Sequence, residues 1–197
     1  MMWSERVIAG EIARQTLARK CVVLVDNCNW TGHECDVLGV TTDLRIIDVE
    51  VKISRADLKV DARKDKWWHS GGSWRAWAGE TRPAPVAREW PPKVWKHYYA
   101  LPAEIWRDEL IAALPSPKSG VLLLSQKPGD FMRVECRRRA TPNKDATRLT
   151  AANAVDIARL ANLRMWEAYL DVERERDTNA AWRQRTLRAE AYCGAIP

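Results

Sequence analysis

Two acidic residues and a lysine, Asp36, Glu50 and Lys52, lie in neighbouring segments whose pattern is typical of β-strands. Side chains alternate between the faces of a strand, so Glu50 and Lys52 share one face. A tight turn near residues 42–43 would place Asp36 opposite Val49 or Glu50. Carboxylates that converge in this way repel one another, and a hard divalent cation such as Mg²⁺ relieves the repulsion while accepting phosphate oxygens. Lys52 could then hold the attacking water or steady charge on the phosphate.

The same pattern has a plainer interpretation. An exposed strand face would leave Asp48, Glu50 and Lys52 solvated, and the spacing alone does not choose between the two. Against it, the apolar residues around them indicate a deeply buried strand, near which carboxylates lose hydration: Ile46, Ile47, Val49, Val51 and Ile53.

The apolar pattern also predicts the elements that must position these residues. A helix over residues 4–18 is followed by a buried strand over 21–25 and by a β-hairpin of strands 33–40 and 44–53. Ser54 with Asp57 three residues later has the form of a capping box, which predicts a helix over residues 55–67.

The second half of the chain begins with residues 69–93, which are rich in glycine and proline and predict a long loop or lid. The further predicted elements are a strand over 94–101, a helix over 103–113, strands over 120–125 and 131–137, and one or two helices over 147–191. We therefore expect an α/β fold, with a domain over residues 1–140 and a C-terminal helical extension over residues 141–197.

Asp36, followed after thirteen residues by Glu50-Val51-Lys52, resembles the Asp…(Asp/Glu)-x-Lys signature of the PD-(D/E)XK nuclease superfamily. The segments CDVLGV and IIDVEVKISRADLKVDARKDKWW are similar to the MmcB-type bacterial DNA-repair branch and to related phage-encoded proteins. The resemblance covers about residues 5–137, and Cys35 stands at the proline position of the signature. It implies a restriction-endonuclease-like αβββαβ core with a mixed sheet, a long insertion and the helical extension outside the core.

The resemblance also implies a function and a set of ligands. Asp36, Glu50 and the backbone carbonyl of Val51 would hold Mg²⁺ or Mn²⁺, and Lys52 would assist the water that hydrolyses a phosphodiester bond of DNA. Members of the superfamily often add an acidic residue from the first helix. Glu11 is the candidate here, although an ordinary surface glutamate fits that position as well.

Two further acidic residues extend the predicted site. Glu34 shares the strand face of Asp36 and could contact a second metal ion. Asp57 lies in the first turn of the helix after the hairpin, so we expect it to support the metal ligands from behind. Asp57, Asp61 and Asp65 also recur at four-residue spacing, and an exposed, salt-bridged helix face explains most of that pattern.

The formal net charge of +6 mildly favours a polyanionic partner. Lys66, Trp74 and Arg75 belong to a stretch rich in tryptophan and basic residues that suits single-stranded or distorted DNA, because aromatic rings stack on unpaired bases. A small tryptophan-rich core is the alternative for this stretch. A second basic segment could contact phosphates or simply be solvated: Arg137, Arg138 and Arg139.

The five cysteines lack paired CxxC spacing, and the sequence shows no secretory signal. Reduced thiols in a cytoplasmic protein, of a bacterial cell or a phage-infected host, are therefore expected. Cys28, His33 and Cys35 could surround zinc, but they lack the closely spaced ligand pairs of a compact site. No apolar stretch approaches about 20 residues, so no membrane span is expected.

Two rival hypotheses stay open. A nuclease-derived domain could bind nucleic acid or another protein without cutting, although the intact set of Asp36, Glu50 and Lys52 favours the enzyme. The C-terminal helix could dock on the domain or form a homodimer through its apolar residues: Ile157, Leu160, Leu163, Trp166, Tyr169 and Leu170.

Overall fold

The fold is that of a computed structural model, which describes residues 3–69, 84–129 and 131–193. Within these ranges the chain forms a six-stranded mixed sheet and a short two-stranded sheet. The strands in chain order are β1 (Cys21–Cys28), β2 (Cys35–Thr41), β3 (Ile46–Val51), β4 (Trp68–His69), β5 (Val86–Ala87), β6 (Val94–Pro102), β7 (Gly120–Lys127) and β8 (Phe131–Arg138).

The described helices are α1 (Glu5–Ile12), α2 (Arg55–Val60) and α3 (Ala151–Cys193). A π-helical turn, Ala13–Leu17, continues α1, and three 3₁₀ segments complete the elements: Asp61–Arg63, Asp65–Trp67 and Asp108–Ala113. The helix predicted over residues 4–18 is confirmed. It begins where predicted because Ser4 Oγ caps it, accepting a hydrogen bond of 3.3 Å from the Val7 N–H.

The large sheet has the order β1-β2-β3-β6-β7-β8. Strands β1, β2 and β3 form an antiparallel meander, β6 pairs in parallel with both β3 and β7, and β8 is antiparallel to β7. The α/β class expected from the sequence is confirmed in this form, as a mixed sheet with a C-terminal helix.

The two faces of the sheet are covered differently, and this decides where the polar side chains of β3 point. Helix α1 packs Ile8 and Ile12 on the face that carries Val49 and Val51. Because side chains alternate along a strand, Glu50 of β3 points to the opposite face. That face is covered by apolar and aromatic side chains that include Leu58, Trp67, Tyr99 and Leu101.

Helix α2 is shorter than predicted. Ser54 caps it as expected, accepting a hydrogen bond of 3.1 Å from the Asp57 N–H, but the helix ends at Val60 rather than near Trp67. The chain then continues through two 3₁₀ turns, which place Asp61, Lys66 and Trp67 in the interior. A regular helix would present these residues at angles that do not all face the sheet.

Two other predicted segments differ from the structure. Residues 103–113 form a turn and a 3₁₀ segment instead of an α-helix. The Ala103 N–H donates to the Leu124 carbonyl (2.7 Å), and Trp106 Nε1 donates to Asp108 Oδ1 (3.0 Å), so local and sheet contacts hold this stretch. Of the predicted lid, β5 pairs with β4, and residues 70–83 lie outside the described residues.

The chain divides into two compact units, residues 1–158 and 159–197, rather than at the predicted boundary near residue 140. The linker residues belong to the first unit because Asn143 N–H donates to the Trp95 carbonyl (2.7 Å) and Leu149 N–H to the Leu44 carbonyl (2.8 Å). In the second unit, the rings of Trp166 and Tyr169, which are both exposed, meet edge to face. Among the described helices, none is both long and apolar enough to cross a membrane.

Candidate active site

The register of the β2–β3 hairpin brings Asp36 and Glu50 together. Val37 pairs with Val49, so the same register sets Asp36 opposite Glu50. The Asp36 carboxylate also accepts a hydrogen bond of 2.6 Å from the Val51 N–H. The structure thus shows the Val51 N–H in contact with Asp36. The resemblance concerned another group of the same residue, the carbonyl, as a metal ligand.

Glu50 is buried, and lysine ammonium groups surround it. Its Oε2 atom accepts from Lys52 Nζ at 3.1 Å and from Lys64 Nζ at 3.3 Å, and its Oε1 atom accepts from Lys66 Nζ. Burial alone would raise the pKa of Glu50, but the positive charges, Lys66 first, outweigh it and lower the pKa below its ordinary value. Glu50 is therefore held as a carboxylate.

Asp61 is the second anchor of these lysines, and it was missed as a site residue by the sequence reasoning. It is fully buried, and its Oδ1 atom lies 3.2 Å from Lys52 Nζ and 3.0 Å from Lys64 Nζ. Its Oδ2 atom accepts hydrogen bonds from the Tyr99 hydroxyl (2.5 Å) and Trp67 Nε1 (3.1 Å). Despite burial, the neighbouring lysines and these hydrogen bonds hold the pKa of Asp61 well below its usual range.

Asp57, the residue expected to support the site, is a weaker partner. Its Oδ1 atom lies 4.0 Å from Lys52 Nζ, and its side chain is 41% exposed. The four-residue spacing of Asp57 and Asp61 was the available signal, since both follow Lys52 on the same helical stretch. The sequence does not show that Asp61 is buried, which depends on α2 ending at Val60 and a 3₁₀ turn beginning at Asp61.

Asp36 behaves differently from the other carboxyl groups of the site. Burial and the negative charge of Glu50 raise the pKa of Asp36 from 3.8 to about 6, although the Val51 N–H and Lys52 act in the opposite direction. Ionising Asp36 therefore costs more free energy in the folded protein than in the unfolded chain, although the carboxylate is still its main form at neutral pH. A cation bound beside it would remove that cost.

Three carboxylates and three ammonium groups form the centre of the site, and Asp57 adds a further carboxylate at its edge, 4.0 Å from Lys52 Nζ. The carboxylates are Asp36, Glu50 and Asp61, and the ammonium groups are Lys52, Lys64 and Lys66, three of each sign. The lysines differ in exposure: the Lys64 side chain is 48% exposed, whereas those of Lys52 and Lys66 are buried. Lys64 is the ammonium group that can leave the site most easily.

Of the other two predicted metal contacts, Glu11 is not brought to this cluster, and the contact expected of Glu34 stays a prediction. Glu11 lies on α1, across the sheet from Glu50, and its carboxylate accepts hydrogen bonds from Arg14 and Gln15. The expectation that Glu11 joins the ligands is therefore corrected, because the sheet separates the two carboxylates. Glu34 precedes β2 and is exposed.

The residues predicted to contact nucleic acid differ in how exposed they are. Lys66 is buried against Glu50, so the expectation that it contacts DNA is corrected. Arg137 donates two hydrogen bonds of 2.9 Å to Asp108, Arg138 donates to the Ser119 carbonyl, and Arg139 is exposed.

The tryptophan-rich stretch contributes at least one ring to the core. Trp67 is buried among the apolar side chains on the Glu50 face, as the small-core alternative predicts, whereas Trp68 is partly exposed. Trp74 and Arg75 lie outside the described residues.

Neither a protein-family model nor a curated protein matches the chain. Among solved structures, it is similar to a protein of unknown function from Silicibacter pomeroyi, with 21% sequence identity and a TM-score of 0.49. The similarity covers 84% of this chain and 88% of that protein. At this level the likeness carries no information about the chemistry of the site.

Proposed function

We propose that this chain is a Mg²⁺- or Mn²⁺-dependent nuclease of the PD-(D/E)XK superfamily that hydrolyses phosphodiester bonds of DNA. The observation that carries the proposal is the pairing of Asp36 with Glu50 across β2 and β3, with Lys52 Nζ 3.1 Å from the Glu50 carboxylate. These are the three residues of the signature, and the hairpin sets them at one end of two adjacent strands.

The order of elements supports the same proposal. Helix α1, the β1-β2-β3 meander, α2 and β6 follow one another as αβββαβ, and β6 lies parallel to β3. A restriction-endonuclease-like core has this order, and β7 and β8 extend the sheet beyond it. The short β4–β5 pair lies between α2 and β6 in the chain.

The residues present can hold a hard divalent cation, subject to one rearrangement. Asp36 fits because burial and Glu50 make its ionised form costly, and a positive charge bound beside it would lower that cost. Glu50 fits if the lysines around it make room, above all Lys64, whose side chain is 48% exposed and contacts the same Oε2 atom as Lys52. Asp36 and Glu50 are therefore the assigned ligands of Mg²⁺ or Mn²⁺, which when bound would polarise a phosphate and lower the pKa of a water.

Lys52 is positioned to act as a fixed positive charge. Burial lowers its pKa, but Glu50 and Asp61 more than offset burial, so the pKa of Lys52 is raised above its ordinary value. A lysine with a raised pKa stays protonated at neutral pH and cannot serve as a general base. It can donate hydrogen bonds to the attacking water or to the negative charge that develops on the phosphate.

A second candidate function is binding of nucleic acid without cleavage. The observation that favours it is that both oxygens of Glu50 already accept from lysine ammonium groups, so the cluster is satisfied as a structural ion-pair network. In that case Lys64 would contact phosphates while Glu50 stays paired. The two functions differ in whether divalent cations bind at Asp36 and Glu50.

The deciding experiment compares cleavage and binding of single- and double-stranded DNA and RNA, with Mg²⁺, with Mn²⁺ or with a chelator. The variants are Glu50→Gln and Lys52→Ala, and exposed Glu135→Gln on β8 is the matched control. We expect metal-dependent cutting of DNA that both site variants abolish and the control retains. Binding without cutting in every condition would overturn the nuclease and support the binding module.

A further inference from the structure

A second polar cluster lies on the same strands, close to the candidate active site but formed by other residues. Within the described part of the chain, His33, Cys35 and Asp48 each offer one ligand atom, and these atoms all lie within 4.8 Å of one another. Asp48 is two residues before Glu50 in β3, Cys35 is the first residue of β2, and His33 lies two residues before it. All three are poorly accessible, since the His33 side chain is 11% exposed and the other two residues are buried.

The spacing of the ligand atoms matches a small tetrahedral ion. His33 Nε2 lies 3.1 Å from Asp48 Oδ2 and 3.7 Å from Cys35 Sγ. Zinc bonds of about 2.0–2.3 Å in tetrahedral geometry separate neighbouring ligand atoms by roughly 3.3–3.7 Å. The two distances from His33 are therefore close to those around a zinc ion, and Cys35 Sγ and the Asp48 carboxylate lie within 4.8 Å of each other.

Unsatisfied atoms at the cluster point to a missing partner. Among the described side chains, buried nitrogen or oxygen atoms without a hydrogen-bond partner include Asp48 Oδ1 and His97 Nε2. His97 is fully buried on β6, and its Nε2 atom lies 3.9 Å from Asp48 Oδ2. Its other ring nitrogen, Nδ1, lies 3.0 Å from the Ser119 hydroxyl, a second contact of the kind that orients metal-binding histidines.

We propose that His33, Cys35 and Asp48 form a zinc site, with His97 Nε2 as the imidazole donor for the fourth position. Sulfur and imidazole ligands select zinc over Mg²⁺, which prefers oxygen. Zinc binds the thiolate, so the Cys35 proton passes to solvent as the Zn–S bond forms. The ligand set therefore contains Asp48 instead of Cys28, which the sequence suggested as the partner of His33 and Cys35.

The site is closed, which indicates a structural rather than a catalytic ion. Its donors come from the start of β2 and the residues just before it, from β3 and from β6, so a bound ion would tie β6 to the two strands that carry Asp36 and Glu50. The nearby ammonium group of Lys66 does not exclude a cation, because its charge is paired with Glu50 and lies 3.9 Å from Asp61 Oδ2. This inference is independent of the proposed nuclease function.

The test uses the full chain, freed of metal with a chelator and then titrated with Zn²⁺ or with Co²⁺ as a spectroscopic probe. We expect one Zn²⁺ per chain and a thiolate-to-cobalt charge-transfer absorption. Cys35→Ser should abolish the absorption and weaken zinc binding at least about tenfold, since even outer contacts of metal ligands are worth 10–100-fold in affinity. Cys28→Ser, a buried cysteine on the paired position of β1, is the matched control and should retain both signals.

Three results would overturn the proposal. The first is a wild-type protein whose Co²⁺ complex lacks the thiolate absorption, which decides the matter even if Cys35→Ser does not fold. The second is an absorption that Cys28→Ser removes and Cys35→Ser leaves intact. The third is loss of zinc in Glu50→Gln, which would place the ion in the candidate active site. Failure of DNA cleavage with zinc binding intact would count against the nuclease alone.

Discussion

Replacing Asp36 with asparagine should stabilise the folded protein at neutral pH. The carboxyl group has its pKa raised from 3.8 to about 6 because it is buried beside Glu50. Between about pH 4 and pH 6 the folded chain binds a proton that the unfolded chain has lost, so stability falls as pH rises through this window and stays lower above it. Asparagine carries no charge, and its side-chain oxygen can still accept from the Val51 N–H.

The magnitude follows from the size of the shift. About two pKa units correspond to about 3 kcal/mol of unfavourable ionisation in the folded state. Asp36 is only partly buried, so solvent screening reduces the expected gain to about 1–2 kcal/mol. For a domain of this size that is a rise of roughly 2–8 °C in the unfolding midpoint.

The assay is urea or thermal unfolding of the wild type and Asp36→Asn at about pH 7.5 and about pH 4, in a chelator. The gain should be present at the higher pH and nearly absent at the lower one, where Asp36 is protonated in the folded wild type. Exposed Asp65→Asn is the control and should change little at either pH. If Asp36→Asn is no more stable than the wild type at pH 7.5, or gains equally at both pH values, the electrostatic account of Asp36 is refuted.

Two further substitutions test the lysine network. Asp61→Asn should lower the free energy of unfolding by about 3 kcal/mol or more, because it leaves buried ammonium groups unpaired, whereas half-exposed Asp57→Asn should cost less than about 1 kcal/mol. Equal losses in denaturant titrations would show that Asp61 is not the anchor. Lys64→Ala should lower the half-saturating concentration of Mn²⁺ roughly fivefold, which is about 1 kcal/mol, by removing one of the three ammonium groups that compete with the metal for Glu50, with exposed Lys59→Ala unchanged. Calorimetric titration measures this, and an unchanged affinity in Lys64→Ala would contradict the competition between lysine and metal.

The hairpin shows what sequence pattern predicts well. Residues two apart on a strand share a face whatever the rest of the fold does, so Glu50 and Lys52 could be paired from the sequence alone. The turn length limits the register, and the structure selects the one that sets Asp36 opposite Glu50. Ser54 likewise signals the start of α2, because a cap depends only on the next three residues.

The ends of helices were predicted less well. The helix expected over residues 55–67 stops at Val60, and the one expected over 103–113 is a turn followed by a 3₁₀ segment. In both places, contacts with distant residues decide the backbone. The Asp61 carboxylate accepts hydrogen bonds from Trp67 and from Tyr99 on β6, and the Ala103 N–H donates to a carbonyl of β7. Local propensity carries no information about such partners.

The charged interior depended on tertiary structure altogether. The sequence could place Asp36, Glu50 and Lys52 near one another because strand geometry is local and periodic. It could not show that the side chains of Asp61 and Lys66 point into the interior to join them. Nor could it show that Asp48 lies beside His97 of β6. A carboxylate and an ammonium group in sequence are equally compatible with a solvated surface and a buried pair. Their burial is decided by which elements pack over them, and here the short helix α2 and the 3₁₀ turns after it do so.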